Sequence, residues 1–158
     1  MSLAWQNPVL ARYFADPFVW KHEGVYYAHG TGPVTGGRGC GLPMARSDDL
    51  VQWEDIGGAL ECDSAAGLQT IWAGSVAEEG GRFYLYYSAG VGDRGHQLRV
   101  AISEDPAGPF VDTGAPLTRT SSCPFAIDPQ AVRDENGEWY LIYCADFLDT
   151  GGGLRAGT

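Results

Sequence analysis

The chain writes one pattern three times. Val19, Val76 and Val132 recur at a nearly constant interval, as do the triplets Gly24, Gly81, Gly137 and Tyr27, Tyr84, Tyr140. Two periods after Asp16-Pro17 the dipeptide returns as Asp128-Pro129, with a degenerate copy between them at Trp72-Ala73-Gly74. A period of about 56 residues marks a chain of stacked supersecondary units, each too small to bury its apolar face alone.

Within each copy, two runs of strand-forming residues flank a polar turn. They are Val19-Trp20-Lys21 with Val25-Tyr26-Tyr27, Ser75-Val76-Ala77 with Phe83-Tyr84-Leu85-Tyr86-Tyr87, and Ala131-Val132-Arg133 with Trp139-Tyr140-Leu141. Each reads as a β-hairpin. The first two copies add a second half, Met44-Ala45-Arg46-Ser47 answered by Val100-Ala101-Ile102-Ser103, followed by an aromatic at Trp53 or Phe110 and closed by Gly58-Ala59 or Gly114-Ala115. Four strands in roughly 40 to 60 residues is one blade of a β-propeller, whose innermost strands converge on a central channel. A β-sandwich also uses many short strands, but it predicts no long sequence repeat. The expected fold is therefore all-β, a β-propeller of four-stranded blades, with blade 1 at about 8–60, blade 2 at about 61–117 and an incomplete blade 3 at about 118–158.

Composition narrows the partners. A formal net charge of -10, without a Lys/Arg cluster, argues against nucleic acid and anionic membranes, whose phosphates it would repel. No apolar stretch is long enough to cross a membrane and no secretory signal is visible, so the expected location is the cytoplasm. Cys40, Cys62, Cys123 and Cys144 are widely spaced, without a C-x-x-C pair, and read as free thiols. His22, His29 and His96 show no metal-ligand spacing, and no metal or other cofactor is expected.

Most of the 20 acidic residues fall where turn chemistry explains them, such as Glu78-Glu79, Asp134-Glu135, Asp48-Asp49 and Glu104-Asp105. Asp16 and Asp128 differ. Each opens the channel-side strand of its blade after an apolar or aromatic run (Tyr13-Phe14-Ala15 and Phe125-Ala126-Ile127), so both carboxylates should enter one funnel and perturb each other. By count Trp72 lies midway, one period from each, although a gap of a single position would move that slot to Ala73. Its indole offers a flat apolar face to a sugar ring, and Phe14 is expected beside it on the aromatic rim.

With these motifs on the page the sequence resembles glycoside hydrolase family 43, the five-bladed propeller enzymes acting on arabinose and xylose polymers. The resemblance rests on Tyr13-Phe14-Ala15-Asp16-Pro17-Phe18-Val19 with Gly24-Val25-Tyr26-Tyr27, on Trp72-Ala73-Gly74-Ser75-Val76, and on Ile127-Asp128-Pro129-Gln130 with Asp134 to Leu141. It implies that Asp16 is the general base activating a water, and that Asp128 tunes and orients the general acid. It implies inversion at the anomeric carbon, on a small carbohydrate or oligosaccharide. Some relatives hold calcium in the channel, but no residue here marks such a site.

The family's acid is a glutamate of the following blade, which this chain does not contain. Five blades at this period need roughly 280 residues, and the chain holds about two and a half. Glu135 and Glu138 lie in the third hairpin turn, away from the channel, and cannot replace the acid. The chain is thus expected to be a fragment, half of an assembled ring or a degenerate relative, to hydrolyse little alone, and to self-associate through open propeller edges. The rival expectation is a non-catalytic carbohydrate-binding or assembly module derived from such a propeller.

Overall fold

The computed structural model describes residues 7–119, 121 and 123–146. Among these, ten strands follow in order: β1 (Ala15–His22), β2 (Val25–Thr31), β3 (Cys40–Ser47), β4 (Glu54–Leu60), β5 (Thr70–Glu79), β6 (Arg82–Val91), β7 (Arg94–Ser103), β8 (Val111–Asp112), β9 (Phe125–Arg133) and β10 (Trp139–Asp146). They form two four-stranded antiparallel sheets, β1-β2-β3-β4 and β5-β6-β7-β8, and a two-stranded sheet of β9 and β10. This is two blades and the inner half of a third, as the repeat requires.

Turn chemistry sets the hairpins. Glu23 and Gly24 both have positive φ (47° and 91°), as do Gly80 and Gly81 (60° and 75°), the backbone of a two-residue turn whose twist matches the flanking strands. The third hairpin has a longer connection organised by Asp134, whose carboxylate accepts the backbone N–H groups of Asn136 (2.9 Å) and Glu138 (2.8 Å). These bonds hold the Asp134 pKa below its ordinary value.

Packing between blades fills two cores. Leu42, Met44, Leu60, Val76, Phe83, Leu85, Tyr87 and Phe110 lie buried between the first and second sheets. Leu98, Cys123 and Ala126, with Leu141 and Ala145 against them, join the second sheet to the third. Phe110, fully buried, also ties the blades through backbone: its N–H donates to Ala59 O (2.7 Å) and its carbonyl accepts from Glu61 N–H (2.8 Å). The aromatic that closes the second half-motif is thus a fastener between repeats.

Matching bonds tie the inner strands β5 and β9 to the preceding blade, to β2 of the first and β5 of the second. Ala73 N–H donates to Thr31 Oγ1 and Ala131 N–H to Ser75 Oγ, each at 2.9 Å. At the opposite ends, His22 meets Glu78 and Arg133 meets Glu79, each at 3.1 Å. Glu78 and Glu79 therefore end β5 and reach across to the neighbouring blades, a role beyond the turn chemistry expected of them. The second blade carries its own lock. Asp112, whose side chain is fully buried, receives two bonds from Arg99 (3.0 and 2.5 Å) and one from the Tyr87 hydroxyl (2.5 Å). Burial alone would push the Asp112 pKa up, but these donors and Gly114 N–H bring it below the ordinary carboxylate value.

Candidate active site

The three inner strands share an irregularity. Pairing of β1 with β2 slips between Ala15 and Phe18, that of β5 with β6 between Trp72 and Ser75, and that of β9 with β10 between Ile142 and Cys144. Each slip is a β-bulge, which bends a strand and re-aims a side chain. At two of the three bulges the first residue is aspartate in the left-handed region, Asp16 at φ 49° and Asp128 at φ 53°. Such a conformation is costly for a residue with a Cβ and concentrates where function over-determines the backbone.

Register identifies the middle slot. Ala15 pairs with Thr31, Trp72 with Ser88, and Ile127 with Cys144, so the residue after each pair is Asp16, Ala73 and Asp128. The gap of one position is real and Ala73, not Trp72, stands where the other blades place a carboxylate. A methyl group there leaves room between two acids.

Asp16, Pro17, Phe18, Ala73, Gly74, Asp128, Pro129 and Gln130 line one cleft of about 300 Å³. Both carboxylates are solvent-accessible. Gly74 has a steric reason to lack a side chain: a Cβ would stand 2.7 Å from Pro129 Cγ and closer still to Tyr86 O. Its absence lets the third blade's Asp-Pro bulge close onto the second blade.

The Asp128 pKa is raised above the usual carboxylate value, chiefly by burial against the cleft walls and secondly by the negative charge of Asp16, while a hydrogen bond from the Cys144 side chain pulls it back. Asp128 therefore senses the charge of Asp16 from two blades away. A carboxylate whose environment sets it apart from ordinary surface carboxylates suits proton-transfer chemistry.

The aromatics expected to face a sugar, Trp72 and Phe14, are not among the residues lining this cleft. Trp72, half-buried, stacks on His96 with ring centroids 3.8 Å apart and planes at 24°, and Phe125 meets it edge-on at 6.3 Å. His96 Nε2 lies 2.9 Å from Gly92 O, which can only accept, so Nδ1 accepts from the Ser88 hydroxyl at 3.0 Å. Burial lowers the His96 pKa, against the Gly92 carbonyl and the charge of Asp93, which raise it. Phe14 packs over Gly30 beneath the Arg12 guanidinium, 5.0 Å from its ring centre. Sequence reasoning missed Phe18 and Gln130 as cleft residues. Their signal was position, two residues beyond each aspartate.

Among the described residues no group of three or more His, Cys, Asp or Glu side chains could hold a metal ion. The carboxylates lining the cleft are Asp16 and Asp128; Glu135 and Glu138 lie at the third hairpin connection between β9 and β10.

Comparison with known proteins agrees with this fold. The model of the glycosyl hydrolases family 43 matches residues 5–151. The chain is 24% identical to the extracellular endo-alpha-(1->5)-L-arabinanase 2 of Bacillus subtilis, over 81% of this chain and 32% of that protein. It is 30% identical to a probable arabinan endo-1,5-alpha-L-arabinosidase C of Aspergillus clavatus, over 84% of this chain and 42% of that one. The crystal structure of a thermostable family-43 glycoside hydrolase superposes with a TM-score of 0.75 at 32% identity, covering 90% of this chain and 45% of that chain. The chain spans less than half the length of each of these three proteins. An Asp-Pro bulge in each of two inner propeller strands, facing one cleft, in a chain matched from residue 5 to residue 151, leads to one conclusion: this chain belongs to glycosyl hydrolases family 43.

Proposed function

We propose that this chain is the base-bearing part of an inverting glycoside hydrolase acting on α-L-arabinofuranosides or β-D-xylosides. The observation that carries the reading is the pair Asp16 and Asp128, each in a left-handed bulge and both lining one cleft. Asp16 takes a proton from a water that attacks the anomeric carbon, while a protonated carboxyl on the opposite face gives its proton to the leaving oxygen. Asp128, with its raised pKa, tunes and orients that acid. The acid itself is a glutamate of a following blade, so the 158-residue chain alone hydrolyses little or nothing.

The substrate class is supported by the relatives, which include an arabinanase, a β-xylosidase and a family 43 enzyme of Xanthomonas citri complexed with xylotriose. Trp72 and Phe14, which do not line the cleft itself, remain the proposed sugar-contacting aromatics outside it. The same reading makes β10 an open edge, with Trp139, Tyr140, Ile142 and Tyr143 exposed on it, which favours self-association.

The test uses a longer protein in which these residues are followed by the remaining blades. It should release arabinose or xylose from aryl glycosides with inverted configuration at the anomeric carbon, and Asp16→Asn should abolish turnover. Retained configuration, or full activity in Asp16→Asn, would overturn the proposal.

A further inference from the structure

Strand pairing resumes after the three bulges at Phe18, Ser75 and Gln130, opposite His29, Tyr86 and Ile142, so these residues hold one equivalent position in successive blades. Their chemistry differs. Ser75 is fully buried, and its hydroxyl accepts Ala131 N–H at 2.9 Å. Phe18 and Gln130 line the cleft with Asp16 and Asp128, one on the first blade and the other on the third.

The wall on the first blade is apolar and braced. Phe18, half-buried beside Pro17, stacks on Trp20 (centroids 6.3 Å apart, planes at 28°) and on His29 (5.8 Å, 29°). Rings packed this way hold Phe18 in place, so the part of it that meets the cleft is preformed. At the same level the wall on the third blade is polar. Gln130 is exposed, and its Nε2 donates to Ala131 O at 3.1 Å. A carboxamide has two N–H donors and a carbonyl acceptor, so this anchored side chain keeps one donor and its acceptor for a ligand. Between the two walls, Ala73 and Gly74 bring in nothing larger than a methyl group.

A pentose has the same two-sided chemistry, with C–H bonds on the faces of its ring and hydroxyls around the rim. A cleft of about 300 Å³ is at the small end of ligand sites, which suits a single such ring. We infer that Phe18 and Gln130 are a specificity-determining pair, Phe18 receiving the C–H face of a pentose and Gln130 hydrogen-bonding one of its hydroxyls. Together they set which way round the ring lies against Asp16. The inference deepens the hydrolase reading above and rests on it for the pentose.

Both residues belong to this chain, so the test needs no further blade. Methyl α-L-arabinofuranoside and methyl β-D-xyloside, with their 2-deoxy and 3-deoxy analogues, are titrated into the 158-residue protein and followed by NMR. At least one parent glycoside should bind and show NOEs from its ring C–H protons to the Phe18 ring. For that glycoside, Gln130→Leu should weaken binding roughly three- to tenfold, the worth of one neutral hydrogen bond. Loss of one hydroxyl should weaken binding to wild type by a similar factor and leave binding to Gln130→Leu unchanged, because the partner of that hydroxyl is already gone. Phe18→Leu should remove the NOEs and weaken the parent and its analogues alike, whereas Phe18→Tyr keeps the ring and should keep the NOEs. Gln130 is exposed, so its arm stands even where a change at Phe18 unsettles the core. No binding of either glycoside by wild type, no NOE to Phe18, or deoxy penalties that persist in full in Gln130→Leu would overturn the inference. Such a failure would leave the hydrolase reading standing, because that reading is judged by turnover and stereochemistry in the longer protein.

Discussion

The negative charge of Asp16, on the first blade, raises the pKa of Asp128, on the third. In the cleft they share, the second blade has Ala73 and Gly74 where its neighbours have Asp-Pro. Asp16→Asn should therefore lower the Asp128 midpoint without returning it to the ordinary value, since burial is the larger cause. Because folding raises this pKa, the native state binds the proton more tightly, and Asp128 makes stability fall as pH rises from the ordinary carboxylate range through its folded value. Asp16→Asn narrows that interval. An NMR titration of Asp128 in the variant checks the direction, and an unmoved midpoint would break the electrostatic link.

His29 offers a test of the first blade. It is fully buried on β2, stacked on Phe18 with centroids 5.8 Å apart, and neither ring nitrogen has a hydrogen-bond partner. Burial lowers its pKa to about 3. The unfolded chain binds a proton near pH 6.5 that the folded chain refuses, so this residue makes stability fall as pH drops from about 6.5 toward 3, by on the order of 4 kcal/mol across the interval. His29→Phe keeps an aromatic ring in the stack and should flatten that part of the curve. Urea midpoints measured between pH 7 and pH 4 would show it.

Much of this was legible in the chain, and the reasons differ by residue. The hairpins follow from Gly24, Gly81 and Gly137 between strand-forming runs, and the blades follow from the period. The site was legible to within one position. Counting alone could not place the middle slot, because each bulge adds a residue to one strand of a pair, and only the pairing of Trp72 with Ser88 assigns it to Ala73. The partners of His22 and Arg133 were hidden, since ion pairs between hairpin ends depend on how blades pack.

Asp112 anchors the second blade through a single buried carboxylate. Asp112→Asn keeps the shape but leaves the Arg99 guanidinium, 13% exposed, without its counter-charge, and should cost about 3 kcal/mol or more. Replacing the whole group together, as Tyr87→Phe, Arg99→Met and Asp112→Leu, should cost less than the single change because no buried charge is stranded. Urea denaturation of the two proteins decides between this and a merely steric role.

Self-association, if it runs through β10, depends on apolar side chains that a charge can spoil. Tyr140 and Ile142, 55% and 60% exposed, lie two apart on one face of the strand. Changing both to lysine should shift the protein toward monomer in sedimentation at equal concentration. The same distribution in wild type and variant would exclude this edge.

The central claim is that this chain carries the base and its modulator but not the proton donor. The most direct measurement is release of 4-nitrophenol from its α-L-arabinofuranoside and β-D-xyloside by the purified 158-residue protein beside its Asp16→Asn variant. The account predicts that both proteins stay at the rate of the buffer blank. Robust turnover by the chain alone, lost in Asp16→Asn, would contradict it and place the acid among the residues present.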